Sequence, residues 1–476
     1  MSRRVVVIGA GPAGLAAAQA ALAHGAEVVV VDEGERIGGQ FWRHHDTLTD
    51  RRLQHQLPRF ERLRAVLDRA TVHSSTSVWR IETDGGLRVH ALSGPADGAA
   101  RVGLTIEADA LVIATGAHDR ALPVPGWTLP GVTTAGAAQA LAKRDGVALG
   151  RRTVVSGAGP FLLPVAASLA HVGGEVAEVL EATGLAAIAR GWGRAPWQLA
   201  GAAGKSGELG EYLASLARHR TPYRFGQAVT RIHGDRAVEA VSVQRLDADW
   251  RPIAGSERIV ECDAVALGHG FTPRLEAAIQ AGCDISSDRF VTVDERQATS
   301  VAGVFAAGEV TGIAGADAAL AEGAVAGFVA AGGGLDDERM RGPLRARGRM
   351  HAFAERLATH AIGRGWTAWL DDETIVCRCE SVTRARIAEF AGPGGDEAAS
   401  VSVTTVGANG DAGGDRSASS RGIRLATRAG LGACQGRTCG RSVEEILGRP
   451  LGLDRRPVLS SVRLGELAAC EPSPPK

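Results

Sequence analysis

A glycine-rich turn, Gly9-Ala10-Gly11-Pro12-Ala13-Gly14, stands between a β-branched run and an Ala-rich stretch, and it leaves few folds open to this chain. Arg4 to Ile8 reads as a strand, Leu15 to His24 as a helix and Val28 to Val31 as a second strand, apolar enough for burial on both faces. The turn fits G-x-G-x-x-G. Its first Gly permits the tight bend, its second lets backbone approach a pyrophosphate, and its third lets helix and strand pack closely. The helix N-terminus adds partial positive charge. Acids follow at Asp32 and Glu33, where ribose hydroxyls need an acceptor. The count from Gly14 points to Asp32, with Glu33 the alternative. The competing reading is a tight turn with no ligand.

The pattern recurs. Thr153 to Ser156 reads as a strand, Gly157-Ala158-Gly159-Pro160 as a turn, Phe161 to Val172 as a helix and Val176 to Glu181 as a strand. Two βαβ units in one chain, with further strands at 101–116, 258–270 and 289–307 and a helix at 308–330, predict an α/β fold with two Rossmann-like dinucleotide-binding domains. The second turn departs from the pattern. Leu162 stands where the third Gly belongs and should push the helix off the strand, while Glu181 would repel a 2′-phosphate. A degenerate structural domain is favoured there over an NAD(H) site, and NADP(H) fits less well again. The expected boundaries are 1–145 with 285–335 for the first domain and 146–284 for the second. A connecting helix at 336–370, a Cys-bearing domain at 371–455 and a tail at 456–476 complete the chain. Within the Cys-bearing domain, 391–421 is rich in Gly, Ser, Asp and Ala and reads as a flexible insertion.

Composition excludes several classes. Lys plus Arg and Asp plus Glu both number 53, so no overall charge favours nucleic acid. All but three of the basic residues are Arg, which with the Ala and Gly excess reads as a GC-rich coding bias. No uncharged apolar run reaches the ~18 residues of a membrane span. The run Val5-Val6-Val7-Ile8 after Ser2-Arg3-Arg4 is too short for a signal peptide. The expected location is cytoplasmic, with any membrane association through partners. No G-x-S-x-G, H-E-x-x-H or Walker loop occurs, so catalytic residues stay unassigned. His44, His45, His118 and His269 fall near the glycine-bearing turns, where surface or packing roles are the expectation.

Four of the seven Cys form two short groups, Cys377-Arg378-Cys379 and Cys434-Gln435-Gly436-Arg437-Thr438-Cys439. Four thiolates suit either zinc or an iron–sulfur cluster, and C-x-C is tighter than usual zinc spacing. Gly432, Gly436 and Gly440 free backbone N–H groups for the sulfurs. Cys262, Cys283 and Cys470 are assigned nothing. No C-x-x-C occurs near the glycine turns, so a disulfide-reductase dithiol is absent. Trp366 and Trp369 flank the module and are expected to dock it.

Ala114-Thr115-Gly116 and Gly308-Glu309, each ending a strand, resemble the two-dinucleotide-binding-domain flavoprotein family over roughly residues 1–330. That resemblance implies FAD, held at Gly9, Gly11, Pro12, Ala13, Gly14, the acid at 32 or 33, Gly39-Gln40, residues 114–116 and Gly308-Glu309. The family usually has Gly-Asp in place of Gly308-Glu309. The Cys segments resemble the bacterioferritin-associated-ferredoxin-like [2Fe–2S] module, implying Cys377, Cys379, Cys434 and Cys439 as ligands. Together with residues 114–139, these features resemble the α subunits of heteromeric opine oxidases, the B-type subunits of hydrogen cyanide synthase and the α subunits of dye-linked proline or hydroxyproline dehydrogenases. The resemblance implies an electron-transfer subunit that works with an amino-acid-oxidase-like flavoprotein chain and a small ferredoxin-like subunit. Two other readings stay open: a stand-alone NAD(P)H-dependent flavin and iron–sulfur reductase, and a non-catalytic nucleotide-binding scaffold.

Overall fold

The computed structural model describes residues 2–45, 50–96, 98, 100–193, 203–357, 360–391, 420–452, 456 and 458–469. Nearly all of the expected insertion, 392–419, therefore lies outside the described residues, as do Cys470 and the end of the tail. The chain divides into two compact units, one of residues 1–118, 272–355 and 454–476, the other of 119–271 and 356–453.

The first unit is built on a parallel sheet of five strands in the order Val304–Ala306, Ala110–Ile113, Arg4–Ile8, Glu27–Val31 and Thr71–His73. Its central strands are Val-rich because both faces are covered, and Val5, Val6 and Val7 are fully buried. In register, Val6 faces Val29 on one side and Leu111 on the other. The helix Pro12–Ala23 starts with proline at its first position and ends at Gly25, whose φ of 87° closes the turn. It lies against the helix Ala316–Ala330. A Cβ at Gly323 or Gly327 would run into the carbonyl oxygen of Ala13 or Ala17, so the two helices meet backbone to backbone. An antiparallel sheet of Thr76–Glu82, Leu87–Ser93 and Val102–Ala108 completes the unit.

The second unit repeats this plan. Its five parallel strands run Tyr223–Phe225, Glu175–Glu181, Arg152–Gly157, Ala264–Gly268 and Val132–Thr134, and it too carries a three-stranded antiparallel sheet, 227–233, 240–245 and 258–261. The duplication legible in the glycine turns thus extends to the antiparallel sheets, of which the residue pattern gave only the last strands, within 101–116 and 258–270.

The structure draws the boundaries differently from the sequence expectation. Residues 119–145 belong to the second unit because Val132–Thr134 pairs with Val265–Leu267 and closes its sheet. Residues 272–284 belong to the first unit, where Leu275, Ala278 and Cys283 pack with Val6 and Ile113. The expected connecting helix is a helix only over Arg341–Leu357, followed by a 3₁₀ segment at Arg364–Trp369. The Cys-bearing segments share one core with the second sheet, with Trp127, Trp250, Trp366, Trp369, Val443 and Ile446 among its members. The tail is docked as far as it is described: Leu459 N–H bonds the Trp79 carbonyl at 2.8 Å and Arg101 pairs with Glu466 at 2.7 Å. Among the described residues no helix is long and apolar enough to cross a membrane.

The helix contact gives a direct test. Gly327→Val should lower unfolding stability by about 3 kcal/mol, since backbone must move to admit the side chain. Gly348→Ala, in the interior of the helix Arg341–Leu357 with nothing near the new methyl group, should raise stability by about 0.5 kcal/mol. Urea unfolding midpoints report both.

Candidate functional site

The first glycine turn is assembled from four stretches of chain. Gly9 has a φ of 103° and donates to the Val31 carbonyl at 2.8 Å. Gly14 has no room for a side chain, because its Cβ would occupy the Gly9 carbonyl oxygen. Gly39 lies directly over Gly11, with its would-be Cβ 2.8 Å from the Gly11 Cα, and Gly38 N–H bonds the Ala10 carbonyl at 2.7 Å. Ala114 N–H bonds the Ile8 carbonyl at 2.9 Å, and the Ala114 carbonyl fills the space beside Gly9. Gly308 reaches the same helix start, its would-be Cβ 2.8 Å from that of Ala13. The structure thus brings Gly9, Gly11, Pro12, Ala13, Gly14, Gly39, Ala114 and Gly308 together.

Gly11 differs from its neighbours. A Cβ there would meet only the Gly39 Cα, at 3.9 Å. Packing does not demand a glycine at this position, yet the helix N-terminus behind it offers free N–H groups. An open cradle of this kind fits a pyrophosphate.

The two acids at the end of the second strand have separate tasks. Asp32 accepts Ala10 N–H at 2.5 Å and Gly34 N–H at 2.7 Å, bracing the turn from behind. Burial raises its pKa, and the two N–H bonds only partly oppose this. Each carboxylate oxygen can accept more than one bond, so Asp32 keeps acceptor capacity toward the turn. Glu33 is more exposed and forms an ion pair with Arg274. Arg274 also holds the next turn: Thr115 Oγ donates to its carbonyl at 2.7 Å, and its N–H bonds the Gly116 carbonyl at 2.9 Å. Gln40 accepts from Arg43 at 2.7 Å. Glu309 is half-buried next to Gly308.

Sequence reasoning missed Glu322. It is 2% exposed, accepts Gly308 N–H at 2.7 Å and the Thr311 hydroxyl at 2.8 Å, and so supports the Gly308-Glu309 turn. The available signal was an acid in the otherwise Ala-rich helix Ala316–Ala330. Arg274 left no comparable mark.

The second glycine turn is built differently. The strand runs on through Gly157, whose would-be Cβ falls on the Gly268 carbonyl, and only Gly159 takes a positive φ, 99°. Leu162 is fully buried and opens the helix Leu162–His171, so the bulky residue is absorbed by a shifted helix start. Glu181 matches Asp32 in kind: it accepts Gly159 N–H at 2.8 Å and Thr183 N–H at 2.9 Å. It is also fully buried, beneath Tyr223 at 3.4 Å and His360 at 3.3 Å. The would-be Cβ of Gly159 lies 3.9 Å from the His360 Cβ, the same clearance that Gly11 has from the Gly39 Cα, so the two turns differ in the burial of their acid and not in the space over the glycine.

The four candidate ligand cysteines come together as two pairs, Cys377 with Cys439 and Cys379 with Cys434, within hydrogen-bonding reach. Cys377 and Cys439 are buried, Cys434 is intermediate and Cys379 is exposed. The Cys439 thiol, opposed by burial, brings the Cys377 thiol down to about 6, helped by N–H groups of Gly430, Glu380 and Cys379. The same bond pushes Cys439 up, and burial and the charges of Cys377 and Cys434 add to it. Burial works against ionising Cys434, but the N–H groups of Thr438 and Gly436, with the Cys379 and Thr438 side chains, bring it below its ordinary value. Gly432 is required where it lies, since its Cβ would collide with that of Cys379. Among the described residues no three or more His, Cys, Asp or Glu side chains are gathered where a single metal ion would sit.

Trp366 donates to Glu445 at 2.8 Å and Trp369 to the Trp250 carbonyl at 2.8 Å, so both tie the Cys segments to the second unit's core. His44 is bonded locally, to the Trp42 carbonyl at 2.9 Å. His269 is 1% exposed among Trp250, Trp369 and Arg120, and burial, with the nearby Arg120 charge, brings its pKa down to about 3.

The family model for pyridine nucleotide-disulphide oxidoreductases matches residues 3–323. The chain is similar to the A-type subunit of opine oxidase from Rhizobium meliloti, 30% identical over 98% of this chain and 87% of that one. It is also similar to the HcnB subunit of hydrogen cyanide synthase from Pseudomonas aeruginosa, 30% identical over 92% of this chain and 91% of that one. L-Proline dehydrogenase from P. horikoshii shares the fold, with a TM-score of 0.63 at 20% identity over 98% of this chain and 79% of that one.

His269 predicts an acid-sensitive stability. Its native pKa lies below the unfolded value, so the unfolded chain alone takes up a proton as pH falls from about 6.5 toward 3. Between pH 7 and pH 5 that proton should cost about 2 kcal/mol. Urea unfolding at both pH values should show His269→Gln losing about 2 kcal/mol less than wild type over this interval.

Proposed function

The chain belongs to the pyridine nucleotide-disulphide oxidoreductase family, it is an FAD-dependent oxidoreductase, and on that premise we propose that it is the electron-transfer subunit of a heteromeric dehydrogenase or oxidase of amino acids, imino acids or opines. In this reading FAD lies at the first glycine turn and a [2Fe–2S] cluster on Cys377, Cys379, Cys434 and Cys439. A partner chain resembling amino-acid oxidases carries the C–N oxidation, and a small ferredoxin-like subunit completes the assembly.

The observation that carries the proposal is the pairing of the four cysteines. A [2Fe–2S] centre asks for two thiolates per iron, whereas one zinc ion asks for all four around a single point. Two adjacent thiol pairs, supplied with backbone N–H groups toward the Cys377 and Cys434 sulfurs, fit the first demand. Such N–H donors also tune cluster potential. Flavin accepts two electrons together, and a [2Fe–2S] centre passes them singly, so one chain with both converts between the two kinds of transfer.

The residues divide the work of holding FAD. Gly11 leaves the pyrophosphate its approach and the start of the helix Pro12–Ala23 supplies N–H groups. Asp32 fixes the turn and offers acceptors to the ribose. Gly39 and Gly308 close in on either side, and Arg274 orders the Ala114-Thr115-Gly116 turn through Thr115 and Gly116. Names of the relatives, which designate subunits, support a partner chain. The fully buried Glu181, bonded to the Gly159 and Thr183 N–H groups, speaks against the stand-alone NAD(P)H reductase.

Three measurements test the reading. Gly11→Val should lose bound flavin while circular dichroism stays near wild type; full flavin content in that variant would sink the FAD assignment. Anaerobically prepared protein should contain about two irons per chain and give a [2Fe–2S] EPR signal on dithionite reduction. Cys434→Ser should diminish both and Cys262→Ser neither, whereas stoichiometric zinc without iron would remove the relay. NADH added to the holoprotein should leave the flavin oxidised, and rapid bleaching would favour the reductase reading instead.

A further inference from the structure

The turn Gly308-Glu309 is held by an arrangement that packing alone does not require. Gly308 presses on Ala13, its would-be Cβ 2.8 Å from the Ala13 Cβ, and that contact fixes the turn against the start of the first helix. Behind the turn stands Glu322, 2% exposed, on the helix Ala316–Ala330. One carboxylate oxygen accepts Gly308 N–H at 2.7 Å and the Thr311 hydroxyl at 2.8 Å. The other accepts from His351 Nε2 at 2.5 Å. His351 belongs to the helix Arg341–Leu357, and its side chain is 51% exposed.

A carboxylate so deeply buried is costly unless every oxygen is bonded. A neutral residue would fill the same space against an Ala-rich helix at less cost. The acid does what a neutral residue does not: it takes two donors from the turn on one oxygen while presenting the second to a donor from another helix. The N–H of Gly308 is oriented by that bond, and with it the Ala307–Gly308 peptide that enters the turn. Charge-assisted bonds of this kind are roughly twice as strong as neutral ones, and groups that orient a binding residue influence affinity nearly as much as direct contacts do.

We propose that Glu322 and His351 form a positioning pair for the Gly308-Glu309 turn, setting how tightly the flavin end of FAD is held and the charge balance behind it. The inference rests on the reading that places FAD at the first glycine turn. His351 is the adjustable half, because it donates from a helix outside the nucleotide-binding core and reaches solvent. Removing it leaves a buried carboxylate with one oxygen unbonded. Making residue 322 neutral removes the negative charge but keeps an acceptor for Gly308.

The two changes therefore act in opposite electrostatic senses. His351→Phe removes the N–H donor that partly offsets the Glu322 charge behind the turn and should lower the flavin reduction potential. Glu322→Gln removes that charge and should raise it. A merely structural role would not give shifts of opposite sign. The experiment uses full-length protein stripped of flavin and titrated with FAD, followed by potentiometric titration of the reloaded protein. His351→Phe should weaken FAD binding about tenfold or more, and His351→Gln, which keeps an N–H donor, should lie within about threefold of wild type. Wild-type affinity in His351→Phe, or potentials that move in the same direction in both variants, would overturn the proposal. Wild-type protein that takes up no FAD overturns the underlying reading and this pair with it. If Glu322→Gln does not fold, the His351→Phe and His351→Gln pair still decides the outcome, because rescue by glutamine separates a lost donor from a lost ring.

Discussion

Close contact between two helices through their backbones governs the rest of the first unit. Gly323 and Gly327 lie where the carbonyl oxygens of Ala13 and Ala17 leave no space for a Cβ. At that separation the helix Ala316–Ala330 carries its preceding turn onto the start of the helix Pro12–Ala23, and Gly308 comes to rest on Ala13. The turn at the end of a late strand thereby becomes part of a site begun by the first strand of the chain. Side chains of ordinary size at 323 or 327 would part the helices and draw Gly308 away from the first glycine turn. Dispersion and burial of Ala methyl groups hold the contact, and the buried Glu322 supplies its polar component.

The two units show one plan put to two uses. Each has five parallel strands, a three-stranded antiparallel sheet, and an acid at the end of its second strand that accepts one N–H from the glycine turn and one from the residue two places on. They diverge in the burial of that acid. At the second turn Glu181 is sealed from solvent beneath Tyr223 and His360. The loss of the third glycine to Leu162 is accommodated by starting the helix later. The second unit's apolar core extends to include Trp366, Trp369 and two of the four clustered cysteines.

That shared core explains why thiols separated by a long insertion meet. Cys377 lies on a short strand, Cys439 caps the helix Gly440–Leu447, and both are buried with Val443, Ile446 and Trp127. Glu445 on the same helix bonds Arg120 and Trp366, so the helix is fixed at a polar point as well as along its apolar face. Closing the loop between these thiols is already done by packing, so they meet without a further entropic cost of loop closure.

The local parts were legible in the residues alone. Gly9, Gly11 and Gly14 in a strand–turn–helix context dictate a dinucleotide turn because no residue with a Cβ fits the first and third positions, and the repeat near Gly157 dictates a second unit. C-x-C with a glycine-rich C-x₄-C marks the thiol cluster for the same local reason, since spacing alone keeps each pair within one turn. Tertiary structure decided what depends on distant chain meeting. Whether Asp32 or Glu33 faces the turn was settled by Ala10 N–H and by Arg274, which stands far along the chain from either. Which cysteine neighbours which was decided by the common core, and the burial of Glu181 by Tyr223 and His360. Glu322 acquires its role only because two glycines let its helix approach, and that approach is a property of packed backbones which no residue pattern near position 322 encodes.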